Sequence, residues 1–457
     1  LTMVKGVGFR DDHSEGAMWT FHPDLLARPV PRYTSYPTAA EFGREVGHGD
    51  MAEALDAVAT GAVVSLYVHI PYCHAICWYC GCNTAATNRT GRLEAYLTRL
   101  DEEITLVASR LAGRGSVGRI AFGGGSPNAM SPASFRFLVE RLLSRFECTN
   151  PVLSVELDPR GFGRDWAMAL RSAGVTRASL GVQTFDERLQ TAIGRLQPED
   201  DIRRTVEMLR EAEVRSINFD LMYGLPGQED ADLAATLETA LELDPDRMAV
   251  FGYAHVPGLI PRQRRIDARA LPGVEARFGQ AALAHRRLTD AGYLAVGFDH
   301  FAKPADDLAR AAVDGTLRRN FQGFTEDQAD VLIGLGASAI SAFPDRFLQA
   351  EKNTGLWHAA VGTGRFPVAR GTRRSSEDQL RGKAIEAILC HGEADLAGVP
   401  QSGAMHARLV RFAEVGLIQW EGSRIALRNG ALPYARVIAS ALDVHRHADV
   451  VRFSSAV

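Results

Sequence analysis

The chain has 457 residues, 46% of them hydrophobic and 23% charged, with a net charge of −4. That length predicts two or three domains around a large core, and the slightly acidic balance gives no electrostatic case for nucleic acid or an anionic membrane surface. No apolar run reaches the length of a transmembrane helix, and the polar start, Leu1 to Gly16, is no secretory signal, so no membrane partner and a cytoplasmic location are expected.

Residues 1 to about 60 show no strong periodicity. They contain Val30-Pro-Arg-Tyr-Thr-Ser-Tyr-Pro37, which reads equally as an extended arm laid across something larger or as a packed linker. From Val63 short β-branched runs alternate with amphipathic stretches. A strand is predicted at 63–70, then a helix over about 91–111 with Leu93, Leu97, Leu100, Ile104, Val107 and Leu111 on one stripe. Strands follow at 118–122, 152–157, 177–182, 216–223, 247–253 and 293–298, separated by helical sequence that includes 132–146 and 165–173. Repeated βα units mean a parallel sheet, wound flat or into a barrel. Beyond Phe298 the alternation fades, and 320–341, rich in Gly and Ser, reads as a segment able to return to the active mouth as a cap. A helical module begins near Ser375, with Leu380, Ile385, Ile388 and Leu389 on one face, and the tail mixes a hairpin at 417–427 with a final helix. The expected domains are an arm (1–60), a catalytic domain with a capping extension (61–370) and a mostly helical C-terminal domain (371–457).

Parallel β/α folds bind ligands at the carboxyl ends of their strands. The first predicted strand runs into Cys73, Cys77, Cys80 and Cys82, four of the six cysteines. Disulfides fit such a chain poorly, and zinc usually draws on two separated knuckles, whereas no second Cys/His cluster follows. C-x3-C-x2-C in one loop suits thiolates wrapped around an iron–sulfur cube, with one iron left for a ligand. Gly123-Gly-Gly-Ser-Pro127 follows the second strand, offering close backbone approach and N–H donors for a carboxylate or nearby polar groups. Glu156 closes the third strand, where it could accept from ribose hydroxyls. Gln183 follows the fourth, Asp220 lies in the fifth and Tyr253-Ala-His255 ends the sixth.

The cysteine loop, the Gly-Gly-Gly-Ser-Pro segment and the six βα units resemble the radical S-adenosylmethionine superfamily. Further blocks narrow the resemblance to the oxygen-independent coproporphyrinogen III oxidase (dehydrogenase) family: Pro31-Arg-Tyr-Thr-Ser-Tyr-Pro37, His69-Ile-Pro-Tyr-Cys73, the extra Cys82, Gly181-Val-Gln183, Asp220-Leu-Met-Tyr-Gly-Leu-Pro226, Tyr253-Ala-His255, Asp299-His-Phe-Ala302, Arg319-Asn-Phe-Gln-Gly323 and Arg452-Phe-Ser454. The resemblance implies a partial (β/α)6 TIM-like barrel, a [4Fe–4S] cluster and two molecules of S-adenosylmethionine. It implies that coproporphyrinogen III loses carbon dioxide from two propionates to give protoporphyrinogen IX in haem biosynthesis. By the same matching Cys73, Cys77 and Cys80 would bind the cluster, and Cys82 and Tyr67 would join them as catalytic residues. Tyr67, Gly124, Glu156 and Ile340 would hold the first S-adenosylmethionine. Tyr79, Gly125, Ser126, Gln183, Arg195, Asp220 and Ala254 would hold the second. A monomer served by a flavodoxin or ferredoxin donor and an unidentified acceptor is implied as well.

Each assignment has a structural rival. Asp220 could be a satisfied core carboxylate, His69 a packed residue that orients the loop, and Tyr67 core filler, although strand alternation sets Tyr67 and His69 on one face. Cys148 and Cys390 read as ordinary thiols, and Arg262, Arg264 and Arg265, candidates for the substrate's carboxylates, read more simply as a solvated basic face. Two other classes stay open: a haem-binding chaperone of the same superfamily, and an electron-transfer protein whose cluster is ligated by all four cysteines.

Overall fold

The computed structural model describes residues 19–27, 29–87 and 90–446. The polar start and the Arg452-Phe-Ser454 block therefore lie outside the described residues, as does the tail beyond Arg446. The chain forms two compact units, one comprising 42–220 and 327–373, the other residues up to 41, 221–326 and from 374 on.

In the first unit the β/α alternation takes the expected form. The strands are β1 (Val63–Ile70), β2 (Ser116–Gly124), β3 (Cys148–Leu157), β4 (Val175–Gln183) and β5 (Ser216–Tyr223), which reaches the boundary of the unit. They lie side by side in chain order, and β1 to β4 pair in parallel. The main connecting helices are α1 (Thr90–Leu111), α2 (Pro132–Arg145), α3 (Arg164–Ala173) and α4 (Glu199–Glu211). On α1 the stripe from Leu93 to Leu111 is buried except at Leu97, which is half-buried. Local signals set the helix ends: the Ser131 hydroxyl accepts from the Ser134 N–H at the start of α2, and Gly174, in the left-handed region, ends α3. Register brings the ends of β1 and β2 level, pairing His69 with Gly123 and Ile70 with Gly124, while Glu156 at the end of β3 pairs with Ser179 and β4 runs three residues past Leu180, the partner of Leu157. The unit's chemistry is thus collected along one edge of the sheet.

The stretch read as a cap reaches the carboxyl end of β1, where Ser338 Oγ lies 3.3 Å from His69 Nε2, and part of it builds sheet that the sequence reading did not foresee. Residues Val331–Leu335 form β9, a wholly buried strand parallel to β1, with Tyr67 opposite Gly334. An antiparallel meander, β10 (Ile340–Phe343), β11 (Arg346–Ala350) and β12 (Val368–Arg373), continues the sheet from there. The segment extends the sheet because Val331-Leu-Ile333 has apolar surface that only a sheet interior covers.

The second unit holds β6 (Arg247–Gly252), β7 (Leu294–Val296) and β8 (His300–Ala302), with helices α5 (Asp230–Glu242), α6 (Val274–Asp290) and α7 (Ser376–His391). Residues 293–298 do not add a parallel strand: β7 pairs antiparallel with β8, and β8 antiparallel with β6, because only the four residues 297–300 separate Val296 from Phe301 and the chain must turn back. On α7 Ile385, Ile388 and Leu389 are buried, but Leu380 is exposed; it lies five residues from Ile385, about 500° round the helix, and so off that face. The hairpin at 417–427 forms as strands 418–421 and 424–427. Segment 30–36 is packed, with Val30, Tyr33 and Tyr36 buried and the Tyr33 hydroxyl donating to Asp443 at 2.9 Å. Among the described residues no helix is long and apolar enough to cross a membrane.

Candidate metal and cofactor site

Everything here except Ala254 lies in the first unit. The cysteine loop is closed at its base by a short parallel pairing of Tyr72–Cys73 with Ala85–Ala86, in which the Ala85 N–H bonds Pro71 O and the Thr87 N–H bonds Cys73 O, each at 2.9 Å. At its far side the Trp78 N–H bonds Ile193 O at 3.0 Å, and a β-carbon on Gly194 would stand 2.6 Å from the Trp78 ring. The turn that carries Arg195 is thereby fastened to the loop.

Each of the three expected ligand sulfurs faces a hydrogen-bond partner. Cys73 Sγ lies 3.2 Å from Thr84 Oγ1, Cys77 Sγ accepts from Arg195 Nη1 at 3.2 Å and Arg160 Nη2 at 3.7 Å, and Cys80 Sγ accepts from the Cys82 N–H at 3.4 Å. Guanidinium and amide donors aimed at sulfur suit anionic thiolates, and such groups are what tune an iron–sulfur centre. Among the described residues no three His, Cys, Asp or Glu side chains converge as on a single ion. A cube takes its thiolates on separate irons, and three thiols of one loop, each with a hydrogen-bonding group at its sulfur, fit that demand. Cys82 itself is exposed.

Asp158 anchors the two arginines. Its carboxylate accepts from Arg160 Nη2 at 2.6 Å and from Arg195 Nη2 at 3.3 Å. Burial alone would push it up, but the two guanidinium groups hold it below the usual carboxylate range. Arg195 also gives Nη2 to Gly181 O at 2.6 Å and Nε to Gln197 Oε1 at 3.1 Å. Four of its five N–H donors are therefore engaged. Sequence reasoning missed Asp158 and Arg160, whose signal was a charged pair immediately beyond the end of the third strand.

The triple glycine is demanded by three different neighbours. A β-carbon at Gly123 would meet the Glu156 carboxyl at 2.6 Å, one at Gly124 the His69 ring at 2.4 Å, and one at Gly125 the Tyr72 carbonyl oxygen at 2.5 Å. The N–H groups are spent as well: Gly124 on Glu156 Oε2 at 3.2 Å, Gly125 on Ile70 O at 2.8 Å and Ser126 on Tyr72 O at 2.7 Å. Of the two uses expected for these donors, pairing with nearby polar groups is the one observed. Glu156, though solvent-accessible, is hemmed in, and its carboxyl is pushed up to about 7, by burial first and by the Asp220 carboxylate second. Asp220 accepts from Ser179 Oγ and Asn218 Nδ2, each at 2.9 Å.

Tyr67 and His69 share a face of β1, as alternation predicts, while Leu66, Val68 and Ile70 are fully buried. His69 Nε2 lies 3.3 Å from Asn83 O, and because a carbonyl only accepts, Nε2 carries the proton and Nδ1 receives the Tyr67 hydroxyl at 3.2 Å. Burial pushes the imidazole down to about 4, so it is neutral near pH 7. Burial, and then the Glu156 carboxyl, push the Tyr67 phenol up. Beneath them Tyr96 donates to His69 O at 2.7 Å and accepts from the Ala337 N–H at 3.0 Å, and Glu103 accepts from the Gly336 N–H at 2.7 Å. These two residues of α1 hold the β9–β10 turn, and with it Ile340, against β1. Gln183, at the end of β4, is buried with φ +68°, a strained value for a non-glycine residue. Tyr79 lies beside Arg195. In the second unit the Ala254 carbonyl accepts from Gln263 Nε2 at 3.0 Å.

Comparison with known proteins gives these residues a context. Residues 67–240 match the radical SAM superfamily. The chain is 42% identical over 425 residues to the oxygen-independent coproporphyrinogen III oxidase of Bradyrhizobium diazoefficiens, covering 91% of this chain and 94% of that one. It is 38% identical over 438 residues to the protein of the same name from Pseudomonas aeruginosa, covering 92% and 95%. The solved coproporphyrinogen III oxidase from Escherichia coli, described as a radical SAM enzyme, superposes with a TM-score of 0.87 at 32% identity, over 94% of this chain and all of that one.

Proposed function

That the chain belongs to the oxygen-independent coproporphyrinogen III oxidase family of radical S-adenosylmethionine enzymes is the premise from which we propose a division of labour among its residues. Its reaction is the oxidative decarboxylation of two propionate side chains of coproporphyrinogen III to vinyl groups, with a [4Fe–4S] cluster and S-adenosylmethionine as cofactors. When bound, these cofactors would supply an electron and a 5′-deoxyadenosyl radical for removal of a hydrogen atom at the propionate β-carbon, with carbon dioxide lost and the one further electron passed to a separate acceptor.

Cys73, Cys77 and Cys80 hold the cluster, and what carries this assignment is that each sulfur already faces a hydrogen-bonding group while the exposed Cys82 offers its backbone N–H to Cys80. Tyr67, Gly124, Glu156 and Ile340 bind the first S-adenosylmethionine, with the Glu156 carboxylate accepting from ribose hydroxyls. Tyr79, Gly125, Ser126, Gln183, Arg195, Asp220 and Ala254 serve a second molecule. For a ligand carboxylate Arg195 has one N–H left, so it acts there as a single donor rather than a fork. His69 is a neutral spacer that ties the strand end to the β9–β10 turn. The protein works as a monomer with a flavodoxin-like or ferredoxin-like donor.

Anaerobically reconstituted protein, given S-adenosylmethionine, reductant and coproporphyrinogen III, should release methionine, 5′-deoxyadenosine and carbon dioxide as the vinyl product accumulates. Methionine and 5′-deoxyadenosine without vinyl product, together with stoichiometric haem binding, would replace the enzyme by the haem-binding chaperone.

A further inference from the structure

The second unit contains a concentration of positive charge that none of the roles above employs. Arg32, Arg277, Arg319 and Arg436 come from positions scattered over 400 residues, yet they stand close enough to repel one another through Arg32. Three of them spend donors on neutral backbone. Arg436 gives Nη2 to Val30 O at 2.8 Å and Nε to Pro31 O at 3.3 Å, Arg319 gives Nη2 to Arg32 O at 3.0 Å, and Arg32 gives Nη2 to Gly252 O at 3.4 Å. The nearby carboxylates are committed: Asp299 to His300 Nδ1 at 2.7 Å, and Glu386 to Arg318 Nε and the Arg319 N–H. Arg277 stands beside Tyr223 and Gly252, its Nε buried and without a hydrogen-bond partner, and Arg319 Nη1 is in the same state. Burial, followed by repulsion from Arg32, pushes Arg436 down to about 9.

Asp299 and Glu386 offset part of this charge, but two carboxylates against four guanidinium groups leave an excess, and covering that excess costs free energy unless an anion completes it. Aromatic rings interleave with the charges: Arg32 lies 4.9 Å from the Phe251 ring centre, and Arg319 lies 5.1 Å from Phe298 and 4.2 Å from Phe324. Flat apolar faces beside forked cations match a large ring that carries carboxylates on short arms. Arg32, Arg277 and Arg319 are each only partly covered, whereas Arg436 is buried and props the 30–31 carbonyls.

We propose that Arg277 and Arg32, backed by Arg319, receive propionate carboxylates of the tetrapyrrole substrate, and that Arg436 is a positioning residue that holds the segment bearing Arg32. This rests on the reading of the chain as a coproporphyrinogen oxidase and names the groups that recognise the substrate. The exposed basic turn at Arg264 and Arg265, singled out in the sequence, is not needed for it.

The test uses reconstituted holoenzyme titrated with coproporphyrin III, the fluorescent oxidised form of the substrate, under anaerobic conditions. Arg277→Gln and Arg32→Gln should each weaken binding about 10–100-fold, the scale of one charge-assisted contact. Arg277→Lys should recover part of the loss, and Arg286→Gln, exposed on the same helix, should bind as wild type does. In turnover the loss should appear in KM, while substrate-independent 5′-deoxyadenosine formation stays at the wild-type level. Wild-type-like coproporphyrin binding by both Gln variants would overturn the proposal, as would a KM unchanged in an otherwise active Arg277→Gln enzyme. If wild type binds coproporphyrin through these arginines but forms no vinyl product, the functional reading fails and the carboxylate site stands.

Discussion

Glu103 offers a test of how the site is held. It lies on α1, 2% exposed, with Oε2 accepting from the Gly336 N–H, and burial pushes its carboxyl up to about 7 against the pull of that N–H. An unfolded Glu titrates near about 4.3. Between those two values the folded chain keeps a proton that the unfolded chain has released. The stabilisation is therefore complete below about pH 4.3 and is lost as pH rises through about 7. At about 1.4 kcal/mol per pH unit the window spans at most about 3–4 kcal/mol. Glu103→Gln keeps an acceptor for Gly336 and cannot ionise. Wild-type protein should lose stability from pH 5 to pH 8 more steeply than the variant, and the variant should be the more stable at pH 8. Urea unfolding at several pH values, with amide exchange at Gly336 and Ala337 as a local reporter, measures both. Parallel pH profiles for the two proteins would refute the assignment of this proton to Glu103.

Tyr96→Phe removes the hydroxyl that serves both His69 O and the Ala337 N–H. Two buried partners are then left without it at a cost of about 2–4 kcal/mol, and exchange of the Ala337 amide should quicken at least tenfold. Arg195→Gln withdraws a charged donor from Cys77, so the cluster's midpoint potential, followed by redox titration with electron paramagnetic resonance, should fall by about 60–120 mV; an unchanged potential would mean that Arg195 does not act on the cluster. Cys82→Ser leaves the backbone N–H on Cys80 in place, so iron content and cluster spectrum should match wild type, and loss of the cluster would make Cys82 a ligand.

The strand ends were legible because five short β-branched runs, each followed by polar or Gly-rich chemistry, leave few other arrangements. Val331–Leu335 was not legible for the opposite reason. Gly334 and Gly336 punctuate it, no helix follows, and its partner β1 lies more than 250 residues earlier, so nothing local reveals the pairing. Arg160 and Asp158 were passed over although they sit just beyond Glu156, because an Asp-Pro-Arg sequence reads as an ordinary turn until Cys77 is seen beside it. The arginines at 32, 277, 319 and 436 share no spacing at all. A charge cluster assembled from four distant elements leaves no periodic trace, whereas the clustered Arg262, Arg264 and Arg265 catch the eye, and of these Arg264 and Arg265 end exposed.

Cys82 draws these lines together. As a fourth cysteine it invites the question of ligation: its thiol lies beside the Cys80 side chain, and its backbone N–H reaches that same sulfur two residues earlier. A C-x-C pair is short enough for that N–H···S contact to form within one turn of chain, so the contact is local and could have been read from spacing alone. The donors on Cys77 are different in kind: Arg160 and Arg195 must be carried in by the end of β3 and by the turn after Ala192, and Asp158 must hold them there. The expected ligands thus lie in one ten-residue loop, while the hydrogen bonds that would set the potential of what they bind depend on the register of β1, β3 and β4. A change that leaves all the cysteines untouched but shifts that register, or removes Asp158, should alter the electron's energy before it alters the number of irons bound.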